Sequence, residues 1–324
     1  MRYGDKETSS VFLAGSHQAR TAPEETNVSP LMDVKQIGHL TLETADLERQ
    51  VDYFTQVLGL GLVAKTAETA FLACPADRYS IVLERGSEAR CRALALQLAI
   101  GTDLADLARH LGAVGIPVES RRDPGPDVGE TLVLTGPEGL VLELYTQVEG
   151  GLAMPKAGIR PRKLGHVAFN VVDVQKTVDF FVEIMGFRVS DWMGDFFAFL
   201  RCGPDHHTVN FVHGARAKMH HVAFEALDWN QLKDASDFLG HRRIPILWGP
   251  GRHPVGHNLF TYHHNPDRHI IELYAELDQM SDEASGVFDP RPWHAENPRR
   301  PKVWEPGLFT SNLWGLPSPP AFRE

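Results

Sequence analysis

GHLTLETADLERQVDYFTQVLGLGLV (residues 38–63) and GHVAFNVVDVQKTVDFFVEIMGFRVS (residues 165–190) repeat one pattern 127 residues apart. Later segments repeat as well: LGAVGIPV from Leu111 matches LGHRRIPI from Leu239, and PEGLVLELY from Pro137 matches PDRHIIELY from Pro266. These offsets are 128 and 129 residues, so the spacing drifts by only two residues over a whole copy. A repeat of this length predicts a duplicated structural unit.

Each copy begins with the pattern of a strand followed by a helix. HLTLE and HVAFN have the two-residue period of a half-buried strand. Asp46 and Asp173 lie at the expected helix N-cap, and Gly59 and Gly186 lie where the helix should end. The apolar stripes between them are Leu47, Val51, Phe54 and Leu58 in the first copy and Val174, Val178, Phe181 and Met185 in the second. Further strand-like runs follow, so we expect β-α-β-β-β units in both copies.

The composition excludes several classes of protein. The 324 residues are 43% apolar and carry a formal charge of −10, which argues against a nucleic-acid or anionic membrane surface. Residues 1–33 are expected to be a loose tail without a signal peptide, and no apolar run reaches the ~20 residues of a membrane span. Three scattered cysteines predict no disulfide framework. We expect a soluble cytoplasmic protein, and its partners are either small molecules or other proteins.

The histidines separate the two copies. Thirteen of the 16 lie at or beyond His166, whereas the first copy holds only His39 and His110, and His110 falls in a predicted helix. The first copy offers His39 and Glu143 but no third ligand, so we interpret it as a structural duplicate. The second copy offers three candidate ligands at matching strand positions: His166, His221 and Glu272.

Two imidazoles and one carboxylate suit a metal site. A buried histidine is more often a core residue than a ligand, but three such ligands on one face suit Fe(II) and leave positions open for substrate and dioxygen. Zinc is compatible with the same donors. The first and last of these ligands are more than a hundred residues apart in the sequence, so their spacing alone is weak evidence for a metal site. The duplication supports the prediction more strongly.

The motifs GHVAF, HHTVNFV, HHVAF, GPGRH and NPDRHIIELY resemble type I extradiol ring-cleaving dioxygenases of the vicinal oxygen chelate superfamily, over residues 34–280. The likeness is to the catechol 2,3-dioxygenase and homoprotocatechuate 2,3-dioxygenase branches. It implies an α+β fold of two tandem domains, each a pair of βαβββ modules in a curled mixed sheet, with a barrel-like funnel in the second. The expected segments are a tail (1–33), a metal-free domain (34–150), a catalytic domain (160–280) and a Pro/Trp-rich extension (281–324).

The resemblance also assigns roles to residues. It implies Fe(II), with Mn(II) as the alternative, held by His166, His221 and Glu272. His207 matches the acid–base histidine that exchanges protons with the substrate, and His206 is the alternative if the alignment slips by one. His253 and Tyr262 match groups that hydrogen-bond the substrate oxygens, while His220 is expected to be structural.

The implied reaction is extradiol cleavage of a catechol by dioxygen to a ring-opened semialdehyde or enol acid. Members that bind a carboxylated side chain have an asparagine and an arginine where this chain has Ala168 and Trp248, so we expect a neutral catechol. The alternatives are a metal-dependent glyoxalase-like isomerase or lyase, an epoxide-opening transferase, and a non-catalytic small-molecule-binding protein of the same superfamily. Neither the natural diol nor the side of cleavage is indicated.

The C-terminal extension is expected to be ordered despite its prolines. Its tryptophans Trp293, Trp304 and Trp314 each gain by burying a ring, so residues 285–315 are predicted to wrap the catalytic module or a neighbouring subunit. Wrapping of this kind fits a homo-oligomer, with a tetramer as the expected state.

Overall fold

A computed structural model describes residues 31–126, 128–146, 148, 155–289 and 301–322. The predicted tail up to residue 30, part of the linker near residue 150 and Trp293 lie outside these ranges. No helix in the described ranges is long and apolar enough to cross a membrane.

Each half of the chain contains two successive βαβββ units. The N-terminal half consists of β1 (Val34–Thr44), α1 (Leu47–Asp52), β2 (Gly61–Lys65), β3 (Thr69–Ala73), β4 (Ile81–Arg85), β5 (Arg90–Leu98), α2 (Leu104–Ala113), β6 (Val118–Gly125), β7 (Val128–Thr135) and β8 (Val141–Thr146). The C-terminal half consists of β9 (Lys163–Val171), α3 (Val174–Glu183), β10 (Arg188–Met193), β11 (Phe197–Arg201), β12 (Val209–His213), β13 (Lys218–Glu225), α4 (Trp229–His241), β14 (Ile246–Arg252), β15 (Leu259–His264) and β16 (Ile270–Ala275). The predicted α+β fold with paired modules is therefore confirmed.

Both halves form mixed sheets with the same strand order. The first sheet runs β2-β3-β4-β1-β5-β8-β7-β6, and the second runs β14-β15-β16-β13-β9-β12-β11-β10. In both, the first strands of the two βαβββ units pair antiparallel at the centre, as β1 with β5 and β9 with β13. Neither sheet closes into a hydrogen-bonded barrel within the described ranges, so the predicted funnel is an open, curled sheet.

The two copies share their local devices. Asp46 and Asp173 cap their helices by accepting the backbone N–H of Arg49 and Lys176. Gly59 and Gly186 end the helical segments with φ of 83° and 75°, in the left-handed region that favours glycine. One difference was not predicted: after α1 the chain continues as a π-helix over Tyr53–Leu58, although its apolar stripe faces the core as expected.

The residue before the first histidine of each copy is a glycine because a larger side chain would not fit there. A Cβ on Gly38 would lie 2.2 Å from the Tyr145 hydroxyl oxygen, and a Cβ on Gly165 would lie 1.8 Å from that of Tyr274. Each tyrosine comes from the last strand of its half, β8 or β16. The GH dipeptide of both repeats therefore reflects close packing of a tyrosine ring on the central strand.

The C-terminal extension joins the two edges of the second sheet. Strand β19 (Lys302–Trp304) pairs parallel with edge strand β10, after a small hairpin of β17 (Met280–Asp282) and β18 (Val287–Phe288). Beyond α5 (Leu308–Ser311), the backbone N–H of Leu313 donates to the carbonyl of Arg252 on the opposite edge strand β14. In a flat sheet β10 and β14 would be ~34 Å apart, so the sheet is strongly curled. The predicted wrapping is seen for residues 301–315.

Candidate metal centre

Three strands bring the predicted ligands together on the inner face of the second sheet. His166 lies on β9, His221 on β13 and Glu272 on β16, and all three are at most 5% exposed. Glu272 Oε2 is 3.0 Å from His166 Nε2 and 3.2 Å from His221 Nε2, and the two Nε2 atoms are 3.3 Å apart. Ligands at ~2.1 Å from one ion are ~3.0–3.4 Å from each other at octahedral or tetrahedral angles. The spacing fits a single shared cation.

The tautomer of His221 follows from the groups behind it. The carbonyl of Phe322 can only accept, so His220 donates to it through Nε2–H at 2.8 Å. Burial lowers the pKa of His220 to about 3, so its Nδ1 is a lone-pair acceptor for His221 Nδ1–H at 2.7 Å. Burial also lowers the pKa of His221. Its Nε2 lone pair therefore faces the Glu272 carboxylate, and a cation between them would relieve the repulsion.

The carboxylate of Glu272 is held in its charged form. Burial alone would raise its pKa, but the charge and hydrogen bond of His166 lower it well below the usual range. The amide of Asn258 donates to the other carboxylate oxygen, Oε1, at 3.1 Å. Hydrogen bonds of this kind orient a ligating side chain, so Asn258 belongs to the site, although no sequence motif predicted it.

His207 and His206 take different positions. The ring of His207 lies 4.3 Å from that of His166, centre to centre, on the inner side of the sheet. Burial and the neighbouring histidines hold the pKa of His207 well below its usual value. His206 is behind it, with Nδ1 2.9 Å from His207 Nδ1 and Nε2 3.0 Å from Asp191 Oδ2. Of the two alternatives from sequence, the geometry favours His207 as the group beside the metal ligands.

His253 and Tyr262 lie on the other side of the triad. Tyr262 is 5.5 Å from the His221 ring and donates its hydroxyl to His253 Nε2 at 3.1 Å. Burial raises the pKa of Tyr262 well above its usual value and lowers that of His253 to about 4, so both are neutral. His253 Nδ1–H donates to the carbonyl of Ser311, in the C-terminal extension, at 2.7 Å.

Aromatic rings form the wall above the triad. Trp248 stacks on Tyr262 with ring centres 5.6 Å apart, and Phe322 of the extension packs 4.7 Å from Tyr262 and 4.9 Å from Trp248. The indole N–H of Trp248 donates to the Leu316 carbonyl at 3.2 Å. Phe322 was not predicted, because its place depends on the path of the extension.

The remaining histidines of the second half are held elsewhere. His257 donates to Asp278 Oδ2 at 2.6 Å, and His263 contacts the Tyr53 hydroxyl of the first half at 2.6 Å. The rings of His213, His241 and His264 bond to backbone carbonyls, and the backbone N–H of His269 donates to Asn265 Oδ1. His294 lies outside the described residues.

The corresponding place in the first half is filled differently. His39 and Glu143 form an ion pair at 3.4 Å. Strand register places Ala93 where the second half has His221. The guanidinium of Arg121 lies 3.4 Å from Glu143 Oε1. Among the described residues, His166, His221 and Glu272 form a cluster of three metal-binding side chains, and the first half contains no such cluster.

Comparisons with known proteins agree with this architecture. The family described as the Glyoxalase/Bleomycin resistance protein/Dioxygenase superfamily matches residues 36–144 and 163–273. The chain is 26% identical over 270 residues to a manganese-dependent 2,3-dihydroxybiphenyl 1,2-dioxygenase of Geobacillus genomosp. 3, covering 75% of this chain and 85% of that protein. It is 26% identical over 273 residues to metapyrocatechase 2 of Cupriavidus necator, covering 78% and 84%.

A solved structure extends the likeness to nearly the whole chain. The Mn(II)-bound glyoxalase from Novosphingobium aromaticivorans superposes with a TM-score of 0.77 at 28% identity, covering 90% of this chain and 94% of that one.

Proposed function

The chain belongs to the Glyoxalase/Bleomycin resistance protein/Dioxygenase superfamily, and from this premise we propose that it is an extradiol dioxygenase that opens the ring of a catechol. The proposed metal is Fe(II), with Mn(II) as the alternative, held by His166, His221 and Glu272. The observation that carries the proposal is their spacing of 3.0–3.3 Å in a buried site with His207 beside them. Of the two relatives named above, one is a 2,3-dihydroxybiphenyl 1,2-dioxygenase and the other a metapyrocatechase.

The chain's own residues supply binding and proton transfer. The bound metal would supply a Lewis acid for the two vicinal oxygens and an electron path to dioxygen. His207 accepts a proton from the diol and returns it to the product. It suits this role because its ring lies beside His166 and is not one of the three metal ligands. Tyr262 and His253 hydrogen-bond the substrate oxygens from the opposite side. The aromatic wall of Trp248 and Phe322 excludes water.

The proposed substrate is a catechol without a charged side chain. Trp248 gives its N–H to Leu316, and the guanidinium of Arg252 is engaged by the His257 carbonyl and Glu276. Among the residues that the structure describes, a desolvated substrate carboxylate would therefore lack a charged partner near this wall, which is costly. We expect 3- and 4-alkylcatechols and 2,3-dihydroxybiphenyl to be better substrates than homoprotocatechuate. Faster turnover of homoprotocatechuate would contradict this assignment.

The test of the function is direct. Protein loaded with Fe(II) or Mn(II) without oxygen is mixed with a panel of catechols in air, and dioxygen uptake and the yellow ring-opened product are recorded. We expect uptake equal to product formed, and none in the anaerobic control. The variant His207→Ala should slow turnover while its metal content is unchanged. If it loses metal instead, His207 is a ligand and the proposed roles are wrong.

A second candidate is a metal-dependent glyoxalase-like isomerase. The likeness to the Mn(II)-bound glyoxalase, which spans 90% of this chain, favours it. An isomerase needs no dioxygen, so conversion of a glutathione hemithioacetal at full rate without air, together with no uptake on any catechol, would favour this alternative. The acid–base group His207 and the pair His253–Tyr262 beside a complete triad favour ring cleavage.

We also propose that the protein is a homo-oligomer, with a tetramer as the expected state. Large apolar side chains lie exposed near the C-terminal extension, among them Leu227 (72% exposed), Trp229 (37%) and Trp314 (47%). The rings of Trp229 and Trp314 are 5.8 Å apart, so these side chains form one patch. Such a patch is typical of an association surface. Light scattering during gel filtration tests the state, and a monomer would contradict it.

A further inference from the structure

A buried carboxylate and a second histidine stand behind His207. Asp191 Oδ2 lies 3.0 Å from His206 Nε2, and both side chains are fully buried. His206 Nδ1 in turn lies 2.9 Å from His207 Nδ1. The three side chains form a continuous chain from β10 to the imidazole that contacts His166. The sequence resemblance gave no role to Asp191 and none to His206 except as an alternative to His207.

The C-terminal strand completes this chain. The backbone N–H of Lys302 donates to Asp191 Oδ1 at 2.8 Å, and the indole N–H of Trp304 donates to Asp191 Oδ2 at 2.9 Å. Together with His206, the carboxylate accepts three N–H groups from the part of the chain that the structure describes. Donors of this number compensate a buried negative charge and fix the direction of the carboxylate. The position of the Asp191 carboxylate beside His206 is therefore fixed by several hydrogen bonds.

We propose that the Asp191–His206 pair is a positioning device that holds His207 in the tautomer whose Nε2 lone pair faces the substrate. The carboxylate can only accept, so His206 carries its proton on Nε2 and offers the Nδ1 lone pair. His207 must then donate through Nδ1–H, which leaves Nε2 free to take a proton. The proposal rests on the proposed function, since it assumes that His207 is the acid–base group.

A second histidine pair in the same module supports the logic. His220 and His221 are also joined through their Nδ1 atoms, at 2.7 Å, and their direction is set by the Phe322 carbonyl. That pair has a neutral anchor and holds a metal ligand. The pair behind His207 is anchored by a charged group, Asp191. In the same way, a buried aspartate holds the general-base histidine of a hydrolytic triad. The charged anchor suits a histidine that changes its proton during the reaction.

Asp191→Asn tests the proposal with little change in shape. Trp304→Phe is introduced together with it, because the indole N–H of Trp304 donates to the same oxygen, Oδ2, that faces His206. The backbone N–H of Lys302 then keeps the asparagine oxygen at the Oδ1 position, so the amide at the Oδ2 position donates to His206 Nε2 and reverses the chain. This double variant is meant by Asp191→Asn below. His207 then carries its proton on Nε2 and cannot accept one from the substrate. We expect kcat to fall on the order of 100-fold or more, with KM and metal content close to those of the unaltered protein.

The direct readout is histidine nitrogen NMR on the full-length chain loaded with diamagnetic Zn(II). With ¹⁵N-labelled histidine, protonated and lone-pair ring nitrogens have well separated shifts. In the unaltered protein we expect His207 with a protonated Nδ1 and a lone pair on Nε2, and the reverse in Asp191→Asn. The matched control is Asp278→Asn, which removes another fully buried carboxylate paired with a histidine, His257, and should keep the His207 tautomer and kcat.

Three outcomes would overturn the proposal: His207 with Nε2–H in the unaltered protein, a doubly protonated His206 there, or the same His207 tautomer in both proteins. The first two need no variant, so misfolding of Asp191→Asn does not remove the test. If the unaltered protein cleaves no catechol, the proposed function fails, whereas the NMR result still decides whether Asp191 sets the tautomer.

Discussion

The two halves of this protein share a fold and differ in what occupies one site. Both place a histidine on the central strand and a glutamate on the partner strand, as His39 with Glu143 and His166 with Glu272. The first half has Ala93 where the second has His221, and an arginine lies beside its glutamate. The sheet supplies a similar geometry in both halves, and we propose that the imidazole of His221 and the guanidinium of Arg121 decide which half can hold a cation.

Removing that imidazole should have the largest effect. His221→Ala leaves the second half with one histidine and one glutamate as ligands, as in the first half, and with a cavity where the imidazole was. We expect loss of bound metal and a fall in turnover on the order of 1,000-fold, since the metal stabilises charge by several kcal/mol. Metal analysis and dioxygen uptake check it. His39→Ala, the matched change in the first half, should alter neither, and any loss of metal there would break the comparison.

Filling the space beside the tyrosines should act on both halves. Gly165→Ala and Gly38→Ala each force a methyl group against a tyrosine hydroxyl, at 1.8 and 2.2 Å. We expect each to lower the free energy of unfolding by about 2–3 kcal/mol, as overpacking does. Denaturant unfolding measures the change. Only Gly165→Ala should also weaken metal binding, because His166 follows it; equal weakening by Gly38→Ala would contradict the division of roles.

The described part of the extension supports the site of the second half. Deleting residues 317–324 removes the Phe322 carbonyl that sets the direction of His220 and thereby the His221 tautomer. We expect metal affinity about 10-fold weaker, the usual cost of losing an outer hydrogen bond of a ligating histidine. Competition with a chelator measures it. Phe309→Ala changes an exposed ring of the same extension, 64% exposed, and should leave the affinity unaltered.

Building a site in the first half should have the smallest effect. Ala93→His supplies the missing imidazole opposite His39 and Glu143. The guanidinium of Arg121 still lies beside Glu143, so we expect a second metal equivalent only at concentrations well above those that fill the first site. Metal titration monitored by equilibrium dialysis gives the stoichiometry. Adding Arg121→Ala should tighten this second site, and no second equivalent in the double variant would mean that the first sheet lacks the required geometry.

Much of the fold could be predicted from the sequence because the same strand and helix pattern occurs in both halves of the chain. Caps at Asp46 and Asp173 and the glycines that end both helices are local signals, and the structure uses them as expected. The π-helix over Tyr53–Leu58 was not predicted because its apolar stripe also satisfies an α-helix. The convergence of His166, His221 and Glu272 was predicted from matching strand positions.

Other parts of the site depend on packing that no local pattern encodes. Asn258, Asp191 and Phe322 reach the site from a loop, an edge strand and the end of the chain. The choice between His206 and His207 could not be made from spacing alone, since the two are adjacent. The bend of the backbone before β12 decides it: one ring contacts His166 and the other turns to Asp191.

The central claim is that the second half alone binds the metal, through two imidazoles and one carboxylate. Crystals of the protein loaded with Fe(II) without oxygen, measured on both sides of the iron absorption edge, test it most directly. We expect one anomalous peak per chain, bonded to His166, His221 and Glu272. A peak beside His39 and Glu143, or none within bonding distance of these three residues, would contradict it.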